Sequence, residues 1–414
     1  MNKFLTARNK FFFFTGVLFL LGIAPLSAYD WGLAADQNAS VEGRGAPDSH
    51  VTDSLEYSAA LIPWLLAPLG KGGDLYISAS AGVIYKDGEW NLVPEILRTE
   101  LNLQIKENGE LRIGRMNYYD PLGFIACGLF DGIYYYTEFS DNNSIGAGAW
   151  YTGLLYKKTA YITITEDDLD LYYEKLDYAD FSGTYFAPRR LIAALDWEKY
   201  GIGGGLGTLY CTLIGQFDLS GGERLYHSQY LMVKLVLPVK SFIFEFGICA
   251  ELAEASKRYY GSFAGELEIG WMPPSSIQDK LTLTARFSNG AMPDHNISAI
   301  VPITTVPHGY VLRAKVSGLS MLSLDYTARL HESFSINLSG SYFVLSDLNT
   351  YHGSLDGKDG YFLGNEFYGR VIWSPFSDLQ ITAGGGIFLP MLGNADPKAK
   401  VLWRAELIVK LAFF

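Results

Sequence analysis

Apolar and polar residues alternate one by one over many short segments of this chain. In residues 280–288 (KLTLTARFS) every second residue is apolar, and residues 333–344, 322–329, 262–271 and 403–413 repeat the pattern. Successive side chains of a β-strand point to opposite faces, whereas an α-helix would need a period of 3.6. The segments therefore predict strands with one apolar and one polar face, and they limit the chain to an all-β fold.

The N-terminus predicts export. Lys3, Arg8 and Lys10 surround the start of an apolar run over residues 11–23, and Pro25–Ala28 ends in a small residue. A basic start, a short apolar run and a small residue at the cleavage point are typical of a signal peptide. We predict cleavage after Ala28, so that residues 1–28 are a signal peptide and residues 29–414 form one domain.

No uninterrupted apolar stretch of about 18 residues follows Ala28, so the sequence predicts no transmembrane helix. The chain is nonetheless poor in charge: charged residues make up 18% of it, and it carries 28 Tyr, 25 Phe and 44 Gly. Many short strands with Gly-containing turns and aromatic girdles are typical of β-barrels. The formal net charge of −12 argues against a nucleic acid as a partner.

The connections between the strand segments differ in length in an alternating way. Tight turns are expected at 106–109, 238–240, 331–332 and 374–378, and long loops at 158–188, 288–309, 347–360 and 390–398. Short turns at one end and long loops at the other are typical of outer-membrane barrels. We predict a transmembrane antiparallel β-barrel of about 18 strands, with 16 as the alternative. Strand 14 is predicted over residues 309–330, with a later start as the alternative. Both termini would lie on the periplasmic side.

Alternating faces alone do not separate a membrane barrel from a water-soluble sandwich. The aromatic residues help, because Trp271, Tyr342, Trp373, Trp403 and Phe413 lie near predicted strand ends on the apolar face. Aromatic girdles occupy that position in membrane barrels. The sequence therefore favours the barrel, with the charged face turned to a wet lumen.

Two segments carry a resemblance to known families. Residues 402–414 resemble the C-terminal signal of Gram-negative outer-membrane barrels, with Leu407, Val409, Leu411 and Phe413 in alternation and Phe414 one residue beyond it. Residues 113–135 are similar to a segment of large substrate-selective porins, such as the alginate-export type, in which a strand ends in Gly-Arg and a loop leads to an aromatic-Asp-Gly. The resemblance implies assembly by the barrel-assembly machinery and a porin function.

Charged residues on the predicted lumen face are the candidates for a role in permeation. Rings of charge set ion selectivity in channels, although any single residue could be a solvated part of the wall. Acidic residues are in excess, so the default is a mild cation preference, which an arginine wall of Arg286, Arg329, Arg370 and Arg404 could reverse. The pore-lining candidates are Arg98, Arg112, Glu245, Glu266, Glu268, Arg286, Asp325, Arg329, Glu366, Arg370 and Arg404.

Two predicted loops have their own hypotheses. Arg115, Asp120 and Asp131 flank the loop between strands 5 and 6, which could fold inward and narrow the pore. Arg115 and Asp131 could equally form a structural pair at the rim. The acidic segment 158–188 could bind cations or shape an acidic vestibule, but it does not match a calcium loop, and we interpret it as a solvated surface loop.

The sequence favours transport over catalysis. It contains neither H-E-x-x-H nor G-x-S-x-G, so we expect no enzyme, no metal site and no cofactor. The first hypothesis is a bacterial outer-membrane porin with a water-filled channel for passive diffusion of small hydrophilic solutes. The alternative is a closed barrel that serves as an adhesin or structural protein through its long loops. The expected partners are outer-membrane lipid, the assembly machinery and the solutes, and the oligomeric state is left open.

Overall fold

The chain folds into one large antiparallel sheet. A computed structural model describes residues 29–44, 54–70, 72–86, 88–221, 225–255, 257–292, 296–348 and 360–413. The predicted signal peptide and Phe414 lie outside these residues. The strands are β1 (Asp30–Arg44), β2 (Ser54–Pro68), β3 (Gly73–Lys86), β4 (Glu89–Ile105), β5 (Gly109–Tyr119), β6 (Cys127–Ser140), β7 (Asn143–Tyr151), β8 (Arg190–Ile202), β9 (Gly207–Asp218), β10 (Tyr226–Val239), β11 (Phe242–Ala255), β12 (Arg258–Trp271), β13 (Lys280–Ser288), β14 (Leu319–His331), β15 (Phe334–Leu345), β16 (Phe362–Phe376), β17 (Leu379–Leu389) and β18 (Leu402–Phe413).

The sheet closes on itself. Each strand pairs with its neighbours in sequence, and β1 also pairs with β18, from Leu33 opposite Phe413 to Arg44 opposite Leu402. Closure removes the free edges, which would leave backbone hydrogen-bonding groups unpaired in a membrane. The structure confirms the predicted barrel with 18 strands, and the alternative count of 16 is wrong.

The register separates an outer from an inner face. Leu324 of β14 lies opposite Leu283 of β13 and Gly340 of β15, and its side chain is 49% exposed. Leucine or phenylalanine occupies corresponding outward positions around the wall, at Leu195, Leu213, Leu231, Phe246, Leu267, Leu338, Phe367 and Leu407. An apolar band of this extent is far larger than the exposed patches of water-soluble proteins. It fits the hydrocarbon layer that surrounds a membrane barrel.

Aromatic side chains frame this band at the short-turn end, where the connections between even-numbered and following odd-numbered strands lie. Trp271 at the end of β12 stacks on Phe242 of β11, and Trp373 and Phe376 are exposed near the end of β16. Phe413 occupies the same level on β18. Amphipathic rings favour the boundary between lipid and water, so these residues lie where an interfacial girdle is expected.

The opposite end, here called the long-loop end, carries the connections 120–126, 152–189, 289–318 and 390–401. The predicted alternation of turn and loop length has exceptions, because β3–β4 and β11–β12 connect there through two residues each. The prediction for strand 14 placed its start too early: β14 begins at Leu319, and residues 309–318 belong to the preceding loop. Residues 309–318 resemble a strand in sequence because several of their apolar side chains are buried against the wall.

Three short helices lie in the loop between β7 and β8: α1 (Lys157–Ala160), α2 (Glu166–Tyr173) and α3 (Phe181–Tyr185). Helix α2 begins with a capping box: the Thr165 side chain accepts the backbone N–H of Asp168, and the Asp168 side chain accepts the backbone N–H of Thr165. A 3₁₀ turn, Pro390–Leu392, follows β17. In the part of the chain that the structure describes, no helix is long and apolar enough to cross a membrane.

Candidate functional site: the barrel interior

Every pore-lining candidate lies on a strand position whose register points inward. Arg370 of β16, for example, pairs with Asn337 of β15 and Gly384 of β17, and all three alternate with outward residues. The same parity applies to Arg98, Arg112, Glu245, Glu266, Glu268, Arg286, Asp325, Arg329, Glu366 and Arg404. The structure thus brings these residues onto one surface, although it gives them different surroundings.

Several of these candidates are held in ion pairs along the wall. Arg98 pairs with Glu100 at 2.5 Å and lies over the Tyr76 ring, with 4.7 Å from the guanidinium carbon to the ring centroid. Lys234 pairs with Glu245 at 2.8 Å, and Lys280 with Glu268 at 3.5 Å. Arg404 bridges Glu42 of β1 at 3.2 Å and Glu406 of its own strand at 3.3 Å. These pairs cancel much of the charge that the sequence places on the inner face.

Other candidates have no ionic partner among the described residues. Arg370 forms no ion pair with any residue that the structure describes, and its Nε is buried without a hydrogen-bond partner among them. It lies 5.9 Å from the centroid of the Tyr310 ring, which stacks on Tyr368. Arg112 lies over the Tyr134 ring at 4.8 Å, and Arg329 donates to the Glu332 carbonyl at 2.9 Å near the short-turn end. Asp325 accepts from the Ser323 hydroxyl, at 3.1 Å.

The loop between β5 and β6 folds into the barrel around Asp120. The two carboxylate oxygens of Asp120 accept four backbone N–H groups, from Leu122 at 2.8 Å, Gly123 at 2.9 Å, Ile125 at 2.9 Å and Ala126 at 2.7 Å. A carboxylate that satisfies four donors fixes the loop in one compact conformation. Asp120 therefore acts inside the loop and presents no free charge to the lumen.

The same loop reaches far across the interior. A Cβ on Gly247 of β11 would collide with Leu122, and the Phe124 ring lies 4.6 Å from the guanidinium carbon of Arg286 on β13. Leu122, Phe124 and Ile125 are all buried. Since β13 is eight strands from β5 around an 18-stranded wall, the loop spans nearly the full width of the lumen.

Arg286 joins the wall to two loops. Its guanidinium binds Glu266 of β12 through Nε at 2.9 Å and donates through Nη1 to His308 Nε2 at 2.6 Å. The Nδ1 of His308 donates to the Val306 carbonyl at 3.0 Å. Burial, and then the adjacent Arg286, lower the pKa of His308 to about 3, so the ring is neutral and can accept this bond. Arg286 is thus a structural anchor for loop 289–318.

Glu366 anchors the same loop at its tip. Its carboxylate accepts backbone N–H groups from Tyr310 at 2.6 Å, Val311 at 3.0 Å and Leu312 at 2.8 Å. A pair of backbone hydrogen bonds between His308 and Ala314, at 2.8 and 2.9 Å, closes residues 308–314 into a tight hairpin. Glu366 was predicted to line the pore, but it is only 1% exposed. Its carboxylate binds the loop and does not face water.

Arg115 and Asp131 form a bidentate pair in the wall, with nitrogen–oxygen distances of 2.8 and 2.7 Å. Both residues occupy outward positions on their strands, whereas Arg112 and Gly114 occupy inward positions. Arg115 also donates to the carbonyl oxygens of Ile96 at 2.5 Å and Leu154 at 2.9 Å. Its contacts lie where β4 and β5 stop pairing, at Thr99 opposite Arg115. The structure therefore shows the rim pair that the sequence left as one of two readings.

The loop between β7 and β8 is anchored by a buried charge cluster. Arg190, which is 1% exposed, binds Asp168 of α2 at 2.5 Å and Asp218 of β9 at 3.4 Å. The Thr163 and Thr305 hydroxyls are 2.8 Å apart, and the Tyr161 carbonyl accepts the Thr305 N–H at 2.9 Å. The segment 158–188 is therefore anchored to the wall through Asp168 and to loop 289–318 through Thr163 and Tyr161. Its other acidic residues are exposed, as a solvated surface loop requires: Glu166, Asp167, Asp170, Glu174, Asp177 and Asp180.

Loops pack against most of the inner wall. One apolar cluster joins inward residues of β5–β12, among them Trp150, Tyr230 and Met232, to Phe124, Ile162 and Ile300 of the loops. A second joins Leu312 and Ala314 of loop 289–318 to inward residues of β14–β18 such as Phe343 and Phe388. We call the first wall, β5–β12, the filled sector. Its interior resembles the core of a soluble protein more than a channel.

The wall from β18 through β1 to β4 has a different inner face, which we call the open sector. Its inward residues on β1–β3 are mostly small or polar, including Asn38, Ser40, Ser58, Ser78 and Ser80. A cavity of about 980 Å³ lies against this sector at the long-loop end. The open sector supplies Glu42, Arg44, Glu56, Lys86, Glu89 and Arg404 to its lining, and the loops supply Lys158, Tyr161, Tyr172, Tyr173, Glu174, Lys175 and Arg313.

The pore-lining candidates did not include Lys158, Tyr172 or Arg313, which lie in loops and enter the cavity only through the fold. Periodicity gives the direction of a strand residue but not of a loop residue, so no pattern could have selected them. Burial, and then Lys157 and Lys86, lower the pKa of Lys158 to about 8. No group of His, Cys, Asp and Glu suited to a metal ion occurs among the described residues.

Comparisons with known proteins agree with this architecture. No protein-family model matches the chain, and no curated protein matches its sequence. Among solved structures, Pseudomonas aeruginosa OccK9 (OpdG) matches with a TM-score of 0.59 at 10% identity, over 93% of this chain and 98% of that one. OccK2 (OpdF) of the same organism, in complex with glucuronate, matches with a TM-score of 0.58 at 11% identity, over 93% and 98%. The P. aeruginosa outer membrane protein OprD matches at 0.53 and 11%, over 92% and 93%.

The chain has the fold of these barrels. At this level of identity the likeness concerns the backbone alone, and the loops and charges described above belong to this sequence. The 18-stranded closed barrel is thus shown twice, by the strand pairing and by the matched structures.

Proposed function

We propose that this protein is a bacterial outer-membrane porin through which small hydrophilic solutes diffuse passively. The observation that carries the proposal is the division of the interior of a closed barrel with an apolar outer face: loops pack against β5–β12 and β14–β18, whereas the inner face of β1–β3 is mostly small or polar and borders a cavity. A barrel that served only as a scaffold would gain stability by filling both sides. The matched outer-membrane barrels support the location.

The path that we propose is off-centre. It enters through the cavity at the long-loop end, which would face the outside of the cell, and follows β1–β4 and β16–β18 toward the short-turn end. The signal peptide over residues 1–28, assembly by the barrel-assembly machinery and periplasmic termini belong to the same proposal. Width would exclude large solutes, and wall charges would select among small ones.

The charges along this path favour anions. The cavity lining contains six basic and four acidic residues among those described. Three acids are paired, Glu42 with Arg404, Glu56 with Lys86 and Glu89 with Lys175. Further along β16, Arg370 has no ionic partner in the described part of the chain. A related fold, OccK2, is known in complex with glucuronate, which is a carboxylate. We therefore propose that local basic residues outweigh the overall acidic charge of the chain.

Planar-bilayer recording of the refolded barrel in asymmetric salt tests the channel. We expect stable current steps and a reversal potential of the sign that anion preference gives. Replacing Arg286, Arg329, Arg370 and Arg404 together by Ala should shift the reversal potential toward cations. A folded, heat-resistant barrel that never conducts would contradict the porin and favour the alternative, an adhesin or structural protein that acts through its long loops.

A further inference from the structure

The barrel wall has a gap in its strand pairing between β4 and β5. The two strands pair from Ile105 to Thr99 of β4 and no further, although β4 continues to Glu89 at the long-loop end. Residues 90–98 of β4 therefore pair with β3 alone, and no strand of the described chain covers their other edge. We call this unpaired edge, together with the loop side chains that lie against it, the β4–β5 seam. An unpaired edge is costly inside a membrane because lipid offers no hydrogen bonds.

Two local distortions separate the strands where their pairing stops. Gly114 of β5 has a φ of 114°, and a Cβ there would lie 1.8 Å from the Thr99 carbonyl oxygen, so the position requires glycine. In β4, Leu97 is an extra residue between the two that pair with Ala79 and Ser78 of β3. A bulge and a glycine at the same level bend both strands. The seam is thus a property of the two strands and does not result from the loop that covers it.

Side chains close the seam in place of a strand. Three alternate carbonyl groups of β4 each accept a hydrogen bond from a side chain: Leu92 from the Tyr178 hydroxyl, Pro94 from the Tyr185 hydroxyl at 2.6 Å, and Ile96 from the Arg115 guanidinium at 2.5 Å. The N–H and C=O of one strand residue point to the same edge, so Pro94 places its missing N–H on the unpaired side, as is usual for proline in edge strands. Two of the three partners are hydroxyls of the β7–β8 loop.

A second gap in the wall, between β12 and β13, is closed differently. The two strands pair only from Trp271 to Ala264 of β12. Beyond that point the Gly261 N–H donates to the Asn296 carbonyl at 3.0 Å, and the Ser298 N–H donates to the Gly261 carbonyl at 3.2 Å. Such backbone bonds break only when the chain itself moves, whereas a tyrosine hydroxyl leaves its acceptor by a fast rotation of the side chain. The β4–β5 seam is therefore the more easily opened of the two.

The outer side of the seam faces lipid. Trp90 of β4 points outward, is exposed, and packs against Tyr57 and Tyr85 with ring centroids 6.1 and 5.1 Å apart. This aromatic group frames the apolar band at the long-loop end, as interfacial girdles do. Leu92 and Ile96 are exposed on the band side of it, and Ile96 lies roughly 20 Å along the strand from Trp90, at about 3.3 Å per residue. The seam therefore borders the hydrocarbon layer.

The inner side of the seam borders the cavity at the long-loop end. Asn91 and Val93 of β4 and Tyr156 of the β7–β8 loop belong to the lining of this cavity. Val93 and Tyr156 also pack with Tyr185 in one apolar cluster. Since the Tyr185 hydroxyl caps the unpaired edge, side chains of this cluster, and not a strand, separate the cavity from the lipid.

We propose that the β4–β5 seam is a lateral portal through which small molecules with an apolar body and one polar end pass between the cavity and the membrane. The side chains at the seam suit this class, because the rings of Phe181 and Phe186 beside Tyr185 accept an apolar body and the hydroxyls of Tyr178 and Tyr185 bind a polar end. The freed carbonyl groups of β4 take back the hydroxyls after passage, since lipid offers them no other donor. This route goes beyond the diffusion of hydrophilic solutes and does not require an open path to the short-turn end.

A cysteine on the inner side of the seam reports which molecules reach it from the lipid. Asn91→Cys is introduced into a barrel whose Cys127, Cys211 and Cys249 are replaced by Ala, and the protein is reconstituted in phosphatidylcholine vesicles. N-dodecylmaleimide is supplied in the bilayer and a sulfonated maleimide in the water. The reference is Ser54→Cys, which lines the same cavity on β2, two strands from the seam. After division by the rate with the sulfonated reagent, we expect dodecylmaleimide to label Asn91→Cys several-fold faster than Ser54→Cys. Equal normalised rates at the two positions overturn the proposal.

Variants that weaken the seam should act on one reagent alone. Tyr178→Phe combined with Tyr185→Phe keeps both rings and removes both hydroxyls, so that two carbonyl groups of β4 lose their partners. We expect dodecylmaleimide to label Asn91→Cys faster in this variant, with an unchanged rate for the sulfonated reagent. Tyr173→Phe, at another tyrosine of the same loop that lines the cavity, is the matched control. Heat resistance on gels shows that the variants are folded. A parallel rise with both reagents, or no rise in a folded variant, overturns the proposal.

The channel and the lateral portal fail separately. A barrel that conducts ions but labels Asn91→Cys and Ser54→Cys alike overturns the portal and keeps the channel. A barrel that never conducts but labels Asn91→Cys preferentially from the bilayer overturns the channel and keeps the portal.

Discussion

The filled and open sectors of this barrel use the same kind of residue for opposite purposes. In the filled sector and at its border, charged side chains on the inner face bind loops: Arg190 holds α2, and Arg286 holds His308. In the open sector and the adjoining β16, Arg370 and the cavity residue Arg313 have no ionic partner in the described structure. The difference shows that inward parity on a strand is not enough to make a charge available to a solute. The charge is available to a solute only where no loop residue already binds it.

The largest expected effect tests the anchoring in the filled sector. Arg190→Met leaves Asp168 and Asp218 buried without their cation, which should lower the free energy of unfolding by about 3–5 kcal/mol. Urea titration of the refolded barrel, with heat resistance on gels as a second readout, measures this. Arg189→Met, at the exposed neighbouring position, should change stability little. Equal losses in the two variants would show that the charge cluster does not anchor the loop.

The second prediction concerns the loop that spans the lumen. Phe124→Ala removes a buried ring that packs under Arg286, at a cost of about 3 kcal/mol, and should loosen loop 120–126. We expect a higher single-channel conductance and more frequent current fluctuations in planar bilayers. Tyr119→Ala, at an exposed residue at the end of β5, is the control. Unchanged conductance with Phe124→Ala would mean that the loop does not limit the path.

A smaller effect separates paired from unpaired arginines. Arg370→Ala removes a cation without an ionic partner, so the reversal potential in asymmetric salt should move toward cations. Replacing both Arg98 and Glu100 by Ala removes a cation together with its own counter-charge and should leave the reversal potential close to that of the wild type. Current–voltage curves at low ionic strength, where screening is weakest, give the clearest contrast. A shift from the double variant as large as that from Arg370→Ala would contradict the distinction between paired and unpaired arginines.

The smallest effect is a pH dependence at the cavity. Lys158 faces Lys157 of its own helix, Lys86 of β3, Glu56 of β2 and the rings of Tyr172 and Tyr173, and its pKa is lowered to about 8. The lysine is charged below that value and loses its charge as the pH rises through it. The anion preference, measured as the reversal potential in asymmetric salt, should therefore weaken near pH 8, well below the range of an ordinary lysine. Lys158→Gln should flatten this part of the pH profile; an unchanged profile would exclude Lys158 from the path of the ions.

Much of the wall could be predicted from the sequence. Strict alternation in segments such as residues 280–288 fixed which residues share a face, because the side-chain direction on a strand depends only on parity. The alternation of turn and loop lengths gave closure and the count of 18. Strand 14 was extended too far because residues 309–318 also alternate, yet their apolar side chains pack on β14–β18 as a loop.

The interior could be predicted only in part. The sequence placed Glu366 and Arg286 on the inner face, and the structure agrees, but it gave no sign that Glu366 would bind three backbone N–H groups of a distant loop. It selected Asp120 as a charged residue at a constriction, whereas the Asp120 carboxylate accepts backbone N–H groups of its own loop. Arg115 and Asp131 were placed beside that loop and proved to be a pair in the wall.

The sequence by itself determined a closed barrel with an apolar outer face and a charged inner face, because both follow from local periodicity and from the need to pair every backbone group in a membrane. Only the tertiary structure decided which side of the lumen is filled. Loops 120–126, 152–189 and 289–318 have no periodicity that fixes their direction, and their positions follow from contacts between residues up to about 180 positions apart, such as the Cys127 N–H and the Thr304 hydroxyl, which are separated by 177. Contacts of that range are set by the closed wall, which brings distant strands to within reach of one loop.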